Sequence, residues 1–149
     1  MVKHLRRLKP RVNRSILFRT GLWIAVVAWA ATIVWLSSLS GPELARLAVI
    51  KVWDKAAHFV SFAVGAALLT LALRATTGWD WKRIYWTALV AVALFGATDE
   101  WHQRYTPQRH GADAADWSTD VLGAALGTLA AVAVHVRYQR KSCPAPVGN

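Results

Sequence analysis

Four apolar runs divide this chain, at 20–36, 59–73, 84–98 and 121–136, and none of them contains an Asp, Glu, Lys or Arg. Such runs have few places to go. At about 1.5 Å of helix rise per residue, each approaches the ~30 Å of a bilayer core once flanking residues snorkel to the boundary. Only 17% of the residues are charged, below the ~25% usual in soluble domains. The reading is therefore an all-α polytopic membrane protein, a bundle of four transmembrane helices in a single domain. The domain is expected over 20–138, after a basic N-terminus at 1–19 and before a disordered tail at 139–149. A cleaved signal peptide is the rival reading of the first run, because Ser38-Leu39-Ser40 resembles a cleavage site, but the apolar stretch is longer and richer in Trp than usual. Gly41-Pro42 marks a turn, and a short interfacial helix is expected at 43–52. The lone Cys143 excludes an intramolecular disulfide.

A net charge of +10 raises nucleic acid as a partner, and its distribution argues against it. Seven basic residues precede the first run, three lie in the 74–83 connection and three follow the last run, whereas five lie in the two remaining connections. With four spans, the first three groups share one side. Basic residues beside a span mark the cytoplasmic face, so both termini are expected there, in a bacterial cytoplasmic membrane. All acidic residues except Asp80 fall on the other side. Trp79 and Trp81 read as interfacial anchors.

Two polar clusters stand on that second side. One is Asp54-Lys55-x-x-His58, whose Asp and His share a helical face at a spacing of four. The other runs from Asp99 to Asp120 and carries five of the eight acidic residues. Within it, Asp99 and Gln103 are four apart, as are Asp116 and Asp120. Polar groups at the mouth of apolar helices mark a site by default. His102, His110, Trp101 and Trp117 read as loop and interface residues, and Gly123-x-x-x-Gly127 reads as a close helix contact.

The chain resembles the VanZ-like family of small bacterial membrane proteins. The resemblance rests on Asp54-Lys55-x-x-His58-Phe59 with Phe62, on Asp99-Glu100-x-x-Gln103, Pro107-x-Arg109 and Asp116, and on Leu122-Gly123-Ala124-Ala125-x-Gly127. It covers residues 37 to 135. Many members carry an Asn or Asp four residues after the loop aspartate, and Asp120 holds that place here. The resemblance implies a helical membrane protein and, through the namesake, an association with low-level resistance to the glycopeptide teicoplanin. It supplies no mechanism.

Three roles fit the residues. In the first, Asp54, Lys55, His58, Asp99, Glu100, Gln103, Arg109, Asp116 and Asp120 bind a membrane lipid or a lipid-linked cell-wall precursor, with Arg109 forking onto phosphate or carboxylate. In the second, a membrane enzyme uses His58 and Glu100 as acid–base candidates, or uses the carboxylates to hold Mg²⁺ or Ca²⁺. The carboxylate spacing matches no metal motif, so no metal ligands and no cofactor are assigned. In the third, Lys55, Arg104 and Arg109 pair with the carboxylates in a structural latch or scaffold. The sequence leaves the oligomeric state open.

Overall fold

The computed structural model describes residues 14–47, 54–109 and 111–142, without the side chains of Arg14, Asp54, Arg140, Lys141 and Ser142. Five helices account for nearly all of them: α1 (Arg14–Ser38), α2 (Gly41–Leu47), α3 (Asp54–Thr76), α4 (Trp81–Gln103) and α5 (Ala114–Ser142). No strand occurs among the described residues. In a bilayer core no water satisfies backbone groups, and a helix bonds them internally.

Three helices are long and apolar enough to cross a membrane, at Ser15–Ser38, Lys55–Thr76 and Ala114–Gln139. The 23-residue α4 is long enough, but its apolar stretch is bounded by Lys82 and Arg83 on one side and by Asp99 and Glu100 on the other. The expected fourth span is thus a helix of the right length whose apolar part is short. Both outer helices run beyond the expected boundaries. α1 begins at Arg14 rather than at Thr20, and α5 continues to Ser142. The expected interfacial helix is α2, which starts at Gly41 and ends at Leu47; residues 48–52 of that expectation lie outside the described residues, as do 1–13 and the tail from 143.

α3 and α5 form the most extensive pair, with α4 packed on both, and α1 lies against α3 and α4. Small residues explain the closeness of the first pair. A Cβ added at Gly123 would land on the Phe59 carbonyl, and one at Gly127 on the Ala63 carbonyl. The glycines let two backbones meet, as a small-residue seam does in lipid. α1 is peripheral: 6% of its span is buried, against 33% for α3 and α5. It is held chiefly by Trp29, whose ring lies over Gly65 and whose Nε1 donates to the Ser61 carbonyl at 2.9 Å.

The main core gathers Phe62, Ala66, Val92 and Ala124 with Ile33 of α1. Phe62 meets Trp29 edge to face at 5.8 Å and lies 6.2 Å from Phe95, arrangements that suit the ring quadrupoles. A second cluster, Leu73, Ile84 and Ala88, closes the other end beneath Trp79 and Trp81. There Arg83 lies 4.1 Å from the Trp79 ring and Arg74 lies 5.0 Å from that of Trp81, so cations and indoles share one boundary. His135 packs against Trp81 at 5.1 Å, in keeping with a residue that serves a neighbouring helix. Large apolar side chains point outward along every long helix, among them Ile24, Val64, Leu94 and Leu126. In water this would be a liability; in lipid it is the solvent-facing surface.

Candidate functional site

The start of α3, the end of α4 and the start of α5 converge, because consecutive long helices run in opposite directions and the connection between α4 and α5 is short. Here the two polar clusters meet. Lys55 Nζ donates to Asp116 Oδ1 at 2.5 Å and lies 4.0 Å from Asp113 Oδ2. One turn further along α3, His58 Nδ1 lies 2.9 Å from Asp120 Oδ1. The Lys55–Asp116 and His58–Asp120 pairs join α3 to α5. The Asp54 side chain lies outside the described residues, as does His110.

The α4 end supplies a second set of contacts. Gln103 Nε2 donates to Asp99 Oδ2 at 2.9 Å across one helical turn, the pairing that their spacing of four predicts. Arg109 Nη2 donates to Gln103 Oε1 at 2.9 Å. Ser37, at the end of α1, donates its hydroxyl to Asp99 Oδ1 at 2.5 Å and is itself buried. Sequence reasoning missed Ser37. Its only signal was a polar pair, Ser37-Ser38, where an apolar run stops at the level of the acidic cluster. His102 meets Ser38 Oγ at 3.1 Å on the exposed edge, outside the buried network.

The connection from 104 to 113 is folded back over this network. Tyr105 and Thr106 close a turn onto the last residues of α4, and Thr106 Oγ1 donates to the Ser37 carbonyl at 3.0 Å. Ala112 takes a left-handed conformation, φ 61°, which puts its N–H on the Glu100 carbonyl. Asp113 then donates its N–H to Glu100 Oε2 at 2.9 Å, and its side chain accepts from the N–H of Ala115 at the start of α5. An Asp at this position satisfies an amide that the helix leaves open. α2 closes the side. The N–H and hydroxyl of Ser40 both reach Glu43 Oε2, which holds the Glu43 carboxyl below its ordinary value, and Gly41 N–H donates to the Pro107 carbonyl.

Charge is dense here. Asp99, Glu100, Asp116 and Asp120 are 5%, 4%, 6% and 0% exposed, and Lys55 is the one cation in an ion pair with them among the described residues, apart from His58 if protonated. Burying carboxylates without compensation is costly. Two of their oxygens, Glu100 Oε1 and Asp120 Oδ2, are buried with no hydrogen-bond partner. Glu100 lies beyond the apolar stretch of α4, and burial pushes its carboxyl above the ordinary value, against the opposing effect of the Asp113 N–H. A ring nitrogen of His58 and carboxylate oxygens of Glu100 and Asp116 all lie within 4.8 Å of one another, a donor set able to hold a metal ion.

Beside these groups is a cavity of about 130 Å³, lined on the apolar side by Ile33, Leu36, Leu44 and Phe62 and on the polar side by Ser37, His58, Asp99, Gln103 and Arg109. Its lining is mostly apolar, with a few polar side chains in it.

The expected pairings are partly corrected. Lys55 ties the loop and α5 to α3, as a latch requires. Arg104 lies over the Trp101 ring at 5.7 Å, and Arg109 bonds a neutral amide; neither forms an ion pair with a carboxylate among the described residues. The reason for Arg109 is local. Both oxygens of Asp99 are already engaged by Ser37 and Gln103, and the Gln103 carbonyl is the acceptor that remains. Trp117, expected as an interfacial anchor, donates its Nε1 to the Ala93 carbonyl of α4 at 2.9 Å while remaining exposed.

No curated protein and no solved structure matches the chain. The VanZ/LLP1 family model matches residues 8–135, which takes in α1, the core, the cavity and both polar clusters, and the chain belongs to that family.

Proposed function

We propose that the protein binds an amphiphile with an anionic head group at the polar end of the bundle, on the extracytoplasmic side of a bacterial cytoplasmic membrane. The observation that carries this reading is Arg109. Arg109 lines a mostly apolar cavity, and its guanidinium donates to the Gln103 amide oxygen with no carboxylate in an ion pair with it among the described residues. A latch accounts for Lys55 but leaves Arg109 unexplained. A phosphate or carboxylate is what a guanidinium fork receives, and the apolar wall of Ile33, Leu36, Leu44 and Phe62 suits the first methylenes of an acyl or prenyl chain. Anionic phospholipid and undecaprenyl-linked wall precursor both have this form. In this reading α4 is the fourth span, both termini are cytoplasmic, and an effect on teicoplanin susceptibility follows from holding the precursor.

Native mass spectrometry of the protein extracted with its lipids tests the reading. Retained anionic lipid is expected in the wild type. A folded Arg109→Ala protein should bind it about 10- to 100-fold more weakly, the loss expected for charge-assisted hydrogen bonds. Unchanged lipid binding in that variant would sink the proposal. A second reading, a membrane enzyme acting on such a head group, is favoured by the His58–Asp120 pair, which can orient an imidazole for proton transfer. Turnover of a candidate lipid, lost in His58→Ala or Glu100→Gln, would distinguish it from binding alone.

A further inference from the structure

We propose that His58, Glu100 and Asp116 are ligands to a divalent transition-metal ion of the Zn²⁺ or Mn²⁺ class, and that Asp120 orients the imidazole for it. The proposal goes beyond head-group binding and does not depend on it.

Three donors from three helices converge. Their ligand atoms lie within 4.8 Å of one another, and a tetrahedral site with bonds of about 2.1 Å brings its ligand atoms to about 3.4 Å apart. Proximity of acidic groups alone would carry little weight. The independent observation is Glu100, which is 4% exposed and whose Oε1 has no hydrogen-bond partner. Its other oxygen is fixed by the Asp113 N–H, so the carboxylate is held in place with one acceptor unused. A buried acceptor left without a partner is unfavourable, and a cation satisfies it.

The surroundings fit the same assignment. His58 presents Nδ1 to Asp120, the outer carboxylate that metal-ligating histidines commonly have; it fixes the tautomer and aims Nε2 at the metal. Lys55 occupies Oδ1 of Asp116, and the second oxygen of that carboxylate is the one to ligate. Four buried carboxyl groups have one lysine ammonium paired with them among the described residues, and a divalent ion compensates the charge they carry when ionised. A donor set of one imidazole and two carboxylates suits Zn²⁺ and Mn²⁺, whereas Mg²⁺ and Ca²⁺ prefer oxygen alone. The contiguous sequence hides the set because its members lie 42 and 16 residues apart, and no short spacing motif links them.

The test uses the full chain in detergent, stripped with chelator and titrated with Zn²⁺, Mn²⁺ and Mg²⁺ by calorimetry and thermal unfolding. One Zn²⁺ or Mn²⁺ per chain is expected, with a rise in Tm. Glu100→Gln and Asp116→Asn should each weaken the affinity at least tenfold, Asp120→Asn should weaken it about 10- to 100-fold, and His135→Ala, at the opposite end of the bundle, should leave it unchanged. Should the carboxylate variants fail to fold, His58→Cys in a Cys143→Ser background serves instead, with a thiolate-to-Co²⁺ charge-transfer band as its signature. A wild-type protein without stoichiometric binding or stabilisation overturns the proposal. So does a folded Glu100→Gln, Asp116→Asn double variant with wild-type affinity, or a folded cysteine variant without the band. None of these readouts involves lipid, so failure here and failure of head-group binding are separable.

Discussion

Ser37 closes a helix that faces almost wholly outward, yet its own side chain is buried against Asp99. Its neighbour Ser38 bonds back to the Val34 carbonyl at 2.7 Å, four residues earlier in the same helix. The two serines are indistinguishable in the sequence. Ser38 makes the local bond that any helical serine can make, with an exposed contact to His102; Ser37 is buried against a residue 62 positions away. Ser37→Ala should lower stability by about 1–3 kcal/mol, because a buried acceptor loses its donor, while Ser38→Ala should change it little. Thermal unfolding of the two variants in one detergent makes the comparison, and equal effects would contradict the assignment. The same contrast explains what was legible at this scale. The Asp99–Gln103 bond follows from a spacing of four, and Lys55–Asp116 follows from opposite charges at converging helix ends. The partner of Arg109 did not follow, because it depends on Asp99 being occupied by a serine from another helix.

Among the helices, the α3–α5 seam sets the position of the site. Gly123 and Gly127 bring the two backbones together, and that closeness places Lys55 within reach of Asp116 and His58 within reach of Asp120. Gly127→Leu should therefore destabilise the bundle by about 1–3 kcal/mol or more through overpacking. It should also reduce ligand binding, although residue 127 lies two turns from the nearest site carboxylate. A folded Gly127→Leu protein with wild-type stability would show that the seam is not what positions α5. The four helix cores were readable from uninterrupted apolar runs. Their ends were not, because a helix continues past the lipid boundary wherever nothing stops it. Thus α1 takes in Arg14 to Arg19 and α5 takes in Arg137, residues that a purely apolar criterion excludes.

For the molecule as a whole, charge and aromatic placement agree. Arg74, Arg83, Trp79 and Trp81 mark one end of the bundle, and the buried carboxylates mark the other. A topology reporter fused after Asn149 should read cytoplasmic, and one inserted at Gln108 should read extracytoplasmic; the reverse pattern would overturn the orientation. A third reporter at the N-terminus decides whether α4 crosses: four spans put it on the same side as the one after Asn149, and three spans put the two on opposite sides. The family match extends over the same bundle, from residue 8 to residue 135.

Because Asp116 and Asp120 belong to the last helix, biogenesis has a fixed order. A chain synthesised only as far as α4 carries Lys55, His58, Asp99 and Glu100 without the two carboxylates that pair with the first two. α5 carries acidic groups at its leading end, and those groups meet Lys55 and His58 of α3. The site is thus finished by the same helix that finishes the bundle, and a chain truncated before residue 116 lacks both α5 partners of Lys55 and His58.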